Sequence, residues 1–132
     1  MCGSGPITYF ITIPLIVNGV GAVPGAGVLP GDLRMPFAFK ITEWTIQGND
    51  PAGSAEFDIW VKAYADNAPP TIANTICGGA YPALVAGQSA HNAILPAWTV
   101  NFTSDMAIRW NLRSAAVLTF CTLSLTARRT IG

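Results

Sequence analysis

A chain of 132 residues is one domain, long enough for a real core and too short for two. It is 51% hydrophobic and 11% charged, against about 25% charged in ordinary soluble domains. Its seven basic and seven acidic residues cancel, which excludes a strong field drawing nucleic acid or an anionic membrane to it.

In chain order, Ile7 to Ile13 reads as a first strand with Ile7, Tyr9, Ile11 and Ile13 on one side. Pro14 is expected to end it, Leu15 to Val17 is a short extended piece, and Asn18-Gly19 is a strong turn signal. From Val20 to Asp32, Gly or Pro stands at almost every second position. Such a segment has few side chains with which to build a core. It is either a flexible surface loop or an arm docking onto a neighbouring subunit. Leu33 to Ile41 is the next strand, with Pro36 marking an edge or a bulge, and Glu43 to Gln47 follows with Trp44 and Ile46 on one face. The turn cluster Gly48 to Gly53 predicts a hairpin joining that strand to the best-formed one, which starts at Ala55.

There Phe57, Ile59, Val61 and Ala63 point one way, and Glu56, Asp58, Trp60 and Lys62 the other. Trp60 is anomalous on a charged face, where an aromatic signals a covering layer. Tyr64 to Thr75 is an irregular loop cornered by Pro69-Pro70, and Ile76 to Val85 is too weakly patterned for a strand. Gln88 to Asn92 is polar, and Ile94 to Phe102 reads as a strand with Trp98, Val100 and Phe102 on one face. Met106 to Leu112 alternates cleanly, and a long last strand, Val117 to Arg128, alternates Cys121, Leu123, Leu125 and Ala127 with polar residues.

Seven or eight strands without a helical period mean an all-β antiparallel sandwich, of jelly-roll type because the turns do not mark simple consecutive hairpins. We divide the domain 1–132 into residues 1–31, the first strand and the Gly/Pro-rich arm, and a sandwich body, 32–128. Glycine and proline interrupt the uncharged N-terminal part too often for a helix of about 20 residues to span a membrane. The basic start of a secretory signal is missing as well. Cys2, Cys77 and Cys121 show neither a zinc spacing nor a disulfide framework, which fits assembly in a reducing cytoplasm.

No motif amounts to an active site, and none calls for a cofactor or a metal. Glu56 and Asp58 would lie roughly 7 Å apart on one strand face, a spacing any charged strand has, with Lys62 as a partner. His91 lacks a nucleophile or ligand partner at a useful spacing, and no lysine or helix follows the glycines from Gly19 to Gly31 to make a phosphate loop. The exposed aromatics Trp60, Tyr64, Tyr81 and Phe10 admit two readings: a stacking platform for a sugar ring, or packing under a loop or a partner subunit.

The run Asp58-Ile59-Trp60, Tyr64 and Pro69-Pro70-Thr71 with Ile76 following is similar to a β-sandwich module recurring in virion proteins of tailed bacteriophages. The resemblance covers roughly Val17 to Arg128. Val17-Asn18-Gly19 and Leu33-Arg34-Met35-Pro36-Phe37 fit its early part, Ile41, Trp44, Pro82 and Leu84 its middle, and Trp98, Asp105-Met106 and Leu123-Ser124-Leu125 its end. The chain departs from it in the Gly/Pro-rich insert at Val20 to Pro30, and in Phe57 where a β-branched residue is usual.

The resemblance implies a non-catalytic structural or adhesive unit, often trimeric, and supplies no catalytic residue. A short charge-free lead before the module fits a capsid decoration (cement) protein better than a tail fibre with an anchoring shaft. The expectation is therefore a virion protein assembled in the host cytoplasm, a homotrimer docked on the major capsid protein. Leu15, Val17, Val20, Val23, Val28 and Leu29 would form its docking arm (Leu15 to Pro30), with Trp60 and Tyr64 as interface anchors. The competing expectation is a tail-tip module that binds a host surface glycan. Neither reading involves nucleic acid or a membrane.

Overall fold

A computed structural model of the chain describes residues 7–29 and 31–131. Cys2 and Pro30 lie outside the described residues. The described residues form ten strands: β1 (Ile7–Asn18), β2 (Gly27–Val28), β3 (Leu33–Met35), β4 (Phe39–Gly48), β5 (Ser54–Ala63), β6 (Ala83–Leu84), β7 (Ser89–Asn92), β8 (Asn101–Phe102), β9 (Met106–Ala116) and β10 (Phe120–Ile131). One sheet has the order β1-β10-β4-β7, with β8 also on β4. The other has the order β2-β9-β5-β6, with β3 also on β9. Every pairing is antiparallel.

With β2 and β3 sharing one lane and β7 and β8 another, the chain changes sheet at each step except β5 to β6, and its first and last lanes are neighbours. That wrapped connectivity is a jelly roll. The protein is an all-β antiparallel sandwich, as the alternation of its sequence predicts.

The core lies between the sheets. Phe57, Ile59 and Ile108 from one side meet Ile46, Leu123 and Leu125 from the other, all fully buried. Each such side chain contributes about 1.5–3 kcal/mol by leaving water. Cys121 is buried among them as a small hydrophobe, and Cys77 is buried too.

Several boundaries differ from the expected ones. Pro14 does not end β1, which runs on to Asn18 in unbroken register with β10. Among the described residues β1 is an outer strand, pairing with β10 alone, and an edge is where a strand tolerates a proline. The expected strand Leu33 to Ile41 is two strands in different sheets, with Pro36 to Ala38 crossing between them. For the same reason β4 and β5 do not form a hairpin: the turn at 48–53 carries the chain from one sheet to the other. Ser89–Asn92 is a strand despite its polarity, because it pairs with β4 at the rim, where its side chains stay largely in water. The segment before Asn101 is not a strand, although Trp98 is buried as expected.

A bulge explains the odd spacing of Ile41 and Trp44. Glu43 faces Thr126 while Ile41 faces Ala127, so Thr42 is an extra residue, and its hydroxyl donates to the Thr126 carbonyl at 3.2 Å. The extra residue reverses side-chain parity, which lets two residues three apart both point inward.

Candidate interaction surfaces

The first charged residue of the described chain is Asp32. The fold gathers this charge-free quarter on one flank: β1 is the edge of one sheet, β2 lies at the edge of the other, and residues 19–26 connect them. The Gly/Pro-rich arm is thus tied to its own chain. Gly27 and Val28 pair with Leu112 and Asn111, and the Leu29 amide donates to the Trp110 carbonyl at 2.9 Å. Among the described residues Tyr9, Phe10, Ile16, Val20, Val23 and Val28 are all exposed on this stretch, Val20 at 87% and Ile16 at 69%. Between β1 and the arm lies a groove of about 430 Å³ lined by Leu15, Ile16, Val17, Val23, Pro24 and Leu29.

Four of the expected arm residues, Leu15, Val17, Val23 and Leu29, therefore converge on one groove. Val17 contributes from the core (5% exposed), Leu15 and Leu29 are half-buried against that core, and Val20 and Val28 face solvent. Ile16, inside the expected arm, was not singled out as a contact residue because Pro14 hides the continuity of the strand. Alternation carried through the proline would have turned Ile16 outward.

At one end of the sandwich four connections are laced together. The Gly19 amide donates to the Thr119 carbonyl (2.8 Å), and the Asn49 amide group donates to the Thr119 hydroxyl (2.8 Å). The Gly87 amide donates to the Gly53 carbonyl (3.0 Å). This end exposes Val20, Val85, Val117 and Phe120. Val20 (φ 55°) and Val117 (φ 68°) hold the left-handed conformation, which is strained for a β-branched side chain.

Trp60 and Tyr64 lie elsewhere, on the outer side of the β5 sheet, where the covering layer is the chain's own loop. Asp58 is 1% exposed, and its carboxylate accepts the Ile59 amide (2.8 Å), the Trp60 Nε1–H (2.9 Å) and the Thr75 hydroxyl (2.5 Å). Trp60 is 7% exposed under this loop, so its ring packs within the chain and offers no surface to a neighbouring subunit. Tyr64 is 54% exposed, its ring carrying the Arg34 guanidinium 4.6 Å from its centre.

Asp58 is not the solvated strand charge expected of it, and Lys62 is not the partner of these acids. Glu56 is bound by Arg113 Nε at 2.7 Å, and Arg113 stacks over Tyr81. The hydrogen bond to Glu56 holds the Arg113 guanidinium more firmly protonated than usual, and Asp32 does the same for Arg109. His91 lies exposed on β7.

No protein-family model and no curated protein matches the chain. Among solved structures, it aligns with the infectious bursal disease virus Gx strain at 16% identity, over 97% of this chain and 33% of that one (TM-score 0.40). The cyanophage Pam1 capsid asymmetric unit aligns at 10% identity, over 100% of this chain and 90% of that one (TM-score 0.44). The Bacillus endospore appendages, described as disulfide-linked pili, align at 10% identity over 100% and 96% (TM-score 0.39). The chain thus spans 33% of the infectious bursal disease virus chain. Likenesses this distant assign no role, and the jelly roll rests on strand order alone.

Proposed function

We propose that the chain is a non-enzymatic structural protein of a bacteriophage virion, a decoration (cement) protein that reinforces the head. It acts as a homotrimer docked on the major capsid protein and is assembled in the host cytoplasm. The observation that carries this reading is the charge-free flank with its exposed Phe10, Ile16, Val20, Val23 and Val28 around an apolar groove. An apolar surface without charges to keep neighbours apart favours burial against another protein. The resemblance of the Asp58-Ile59-Trp60…Pro69-Pro70-Thr71 run to phage virion modules supports the viral setting. Neither strand carboxylate is free for acid–base work, since Asp58 is buried beneath its own loop and Glu56 is held by Arg113.

The deciding experiment is copy number in purified virions, by quantitative mass spectrometry against the major capsid protein. Decoration requires a fixed stoichiometry to the capsid subunit, together with heads that break at lower temperature when the protein is removed. A few copies per particle, co-purifying with tails, would overturn the reading.

A further inference from the structure

A second surface has a different chemistry. Between β3 and the loop after β5 lies a cleft of about 350 Å³, lined by Asp32, Arg34, Tyr64, Asn67, Pro69 and Pro70. Its size falls within the roughly 300–1,000 Å³ of small-ligand sites. Two of the three ion pairs among the described residues stand here, in a chain otherwise sparing of charge. Arg109 grips both oxygens of Asp32 (2.8 and 2.9 Å), and its Nη1 reaches the Pro70 carbonyl at 3.5 Å. Arg34 donates twice to one oxygen of Asp105 (3.1 and 2.7 Å) and lies over Tyr64. The walls are thus held in place before any ligand arrives, which lowers the ordering cost of binding.

The pairing also fixes what the cleft selects. Each cation is matched by a carboxylate, so the site draws neither an anion nor a cation. Its hydrogen-bonding capacity nevertheless remains. Each Asp32 oxygen accepts one bond from Arg109 and has room for another, and Arg34 has N–H donors beyond the two Asp105 takes. Half-exposed Tyr64 and the exposed Pro69 supply apolar wall beside these polar groups, with Pro70 buried behind them. A ligand suited to this mixture is uncharged, carries hydroxyls that both donate and accept, and has an apolar C–H face.

We propose that this cleft binds a neutral saccharide, with its C–H face against Tyr64 and Pro69 and its hydroxyls on Asp32, Arg34 and Asn67. The role goes beyond head reinforcement and does not depend on it. Of the aromatics expected to form such a platform, Tyr64 lines this cleft, whereas Trp60 lies beneath the loop.

The test is amide chemical-shift mapping on the isotopically labelled full chain. The probes are glucose, galactose, mannose and N-acetylglucosamine, with dextran and galactan as polymers and glucuronate and inorganic phosphate as charged controls. At least one neutral sugar should shift amides of residues 32–34 and 64–68, with a Kd of about millimolar order, as one ring and a few hydrogen bonds allow. Tyr64→Ala should weaken that binding about tenfold or more. Asn67→Gly, which suits the left-handed backbone there (φ 53°), should weaken it with no loss of thermal stability. Tighter binding of a polymer than of its monosaccharide would point to a surface glycan, and equal binding per ring to a free sugar; either supports the site. The proposal is overturned if no neutral sugar shifts these amides, if glucuronate or phosphate binds in preference, or if Tyr64→Ala folds and binds undiminished. Virion copy number tests the decoration role separately.

Discussion

Asp58 shows how one residue ties the outer side of a sheet to the loop that covers it. Its carboxylate accepts from its own strand backbone, from Trp60 two residues on and from Thr75 across the loop. Asp58→Ala would strip three donors of their acceptor at once. With about 1–3 kcal/mol for each buried group left unsatisfied, partly relieved by loop opening, the loss should be about 3 kcal/mol or more in urea unfolding. Asp58→Asn keeps the shape and one acceptor oxygen and should lose less than half of that. Equal stability of the alanine variant and the parent would remove the network from the account.

The buried thiols give a pH prediction. Burial pushes Cys77 from 9.0 up to about 12, and Cys121 up to about 11. The unfolded chain therefore ionises these thiols at a lower pH than the folded one. Their contribution is fully present below about pH 9 and falls as pH rises toward 11–12. Melting temperature should drop on that limb, and a Cys77→Ala/Cys121→Ala double variant should flatten it. Cys121 was legible as core from alternation alone. Asp58 was not, because its burial comes from a loop seventeen positions away in sequence, and no local period reports that contact.

At the scale of elements, what could be read from the chain was whichever strands alternate without interruption. β10 has that pattern from Cys121 to Ala127, as have β5 from Phe57 and β9 as far as Leu112, beyond which a register shift at Glu56/Phe57 breaks their pairing. β1 and β4 were misread at Pro14, which keeps its place in the register with β10, and at the Thr42 bulge, which does not. An edge proline and an inserted residue have the same local signature as a strand end. The β4–β5 hairpin failed for a topological reason: a glycine-rich turn serves a crossing between sheets as well as a hairpin. The groove was half legible, since apolar residues on either side of a Gly/Pro run suggest contact, whereas the pairing of Val28 with Asn111 is set by the distant β9.

Val20 and Val117 belong to this scale too, because they shape the connections at the laced end. A β-branched residue in left-handed backbone costs about 1–3 kcal/mol, where Gly or Asn would sit easily. Val117→Asn should therefore raise stability by about 1 kcal/mol in thermal or urea unfolding. If the exposed valines serve contact, the same variant should weaken attachment to the head, so that stability and assembly move in opposite directions. A variant less stable than the parent would mean that packing at this end outweighs the strain.

For the whole molecule, the decisive property is where charge is absent. The seven acidic and seven basic residues all follow the first 31 positions, and the described ion pairs lie on the outer side of the β5 sheet, away from the apolar groove. An interface built on the charge-free flank would hold by apolar burial, and its strength should follow that physics. Sedimentation equilibrium of the isolated protein should give an association constant nearly unchanged as sodium chloride is raised from about 0.05 to about 0.5 M, because among the described residues no ion pair lies at the groove for salt to screen. Sulfate should strengthen association and cooling should weaken it. Val23→Asp places a charge at the groove on a side chain already 44% exposed, so the monomer should keep its stability to within about 0.5 kcal/mol. Its self-association should fall by an order of magnitude or more, since the carboxylate would have to be desolvated at the contact. An association that weakens steadily with sodium chloride, and that Val23→Asp leaves intact, would move the interface off this flank and onto the charged face of the other sheet.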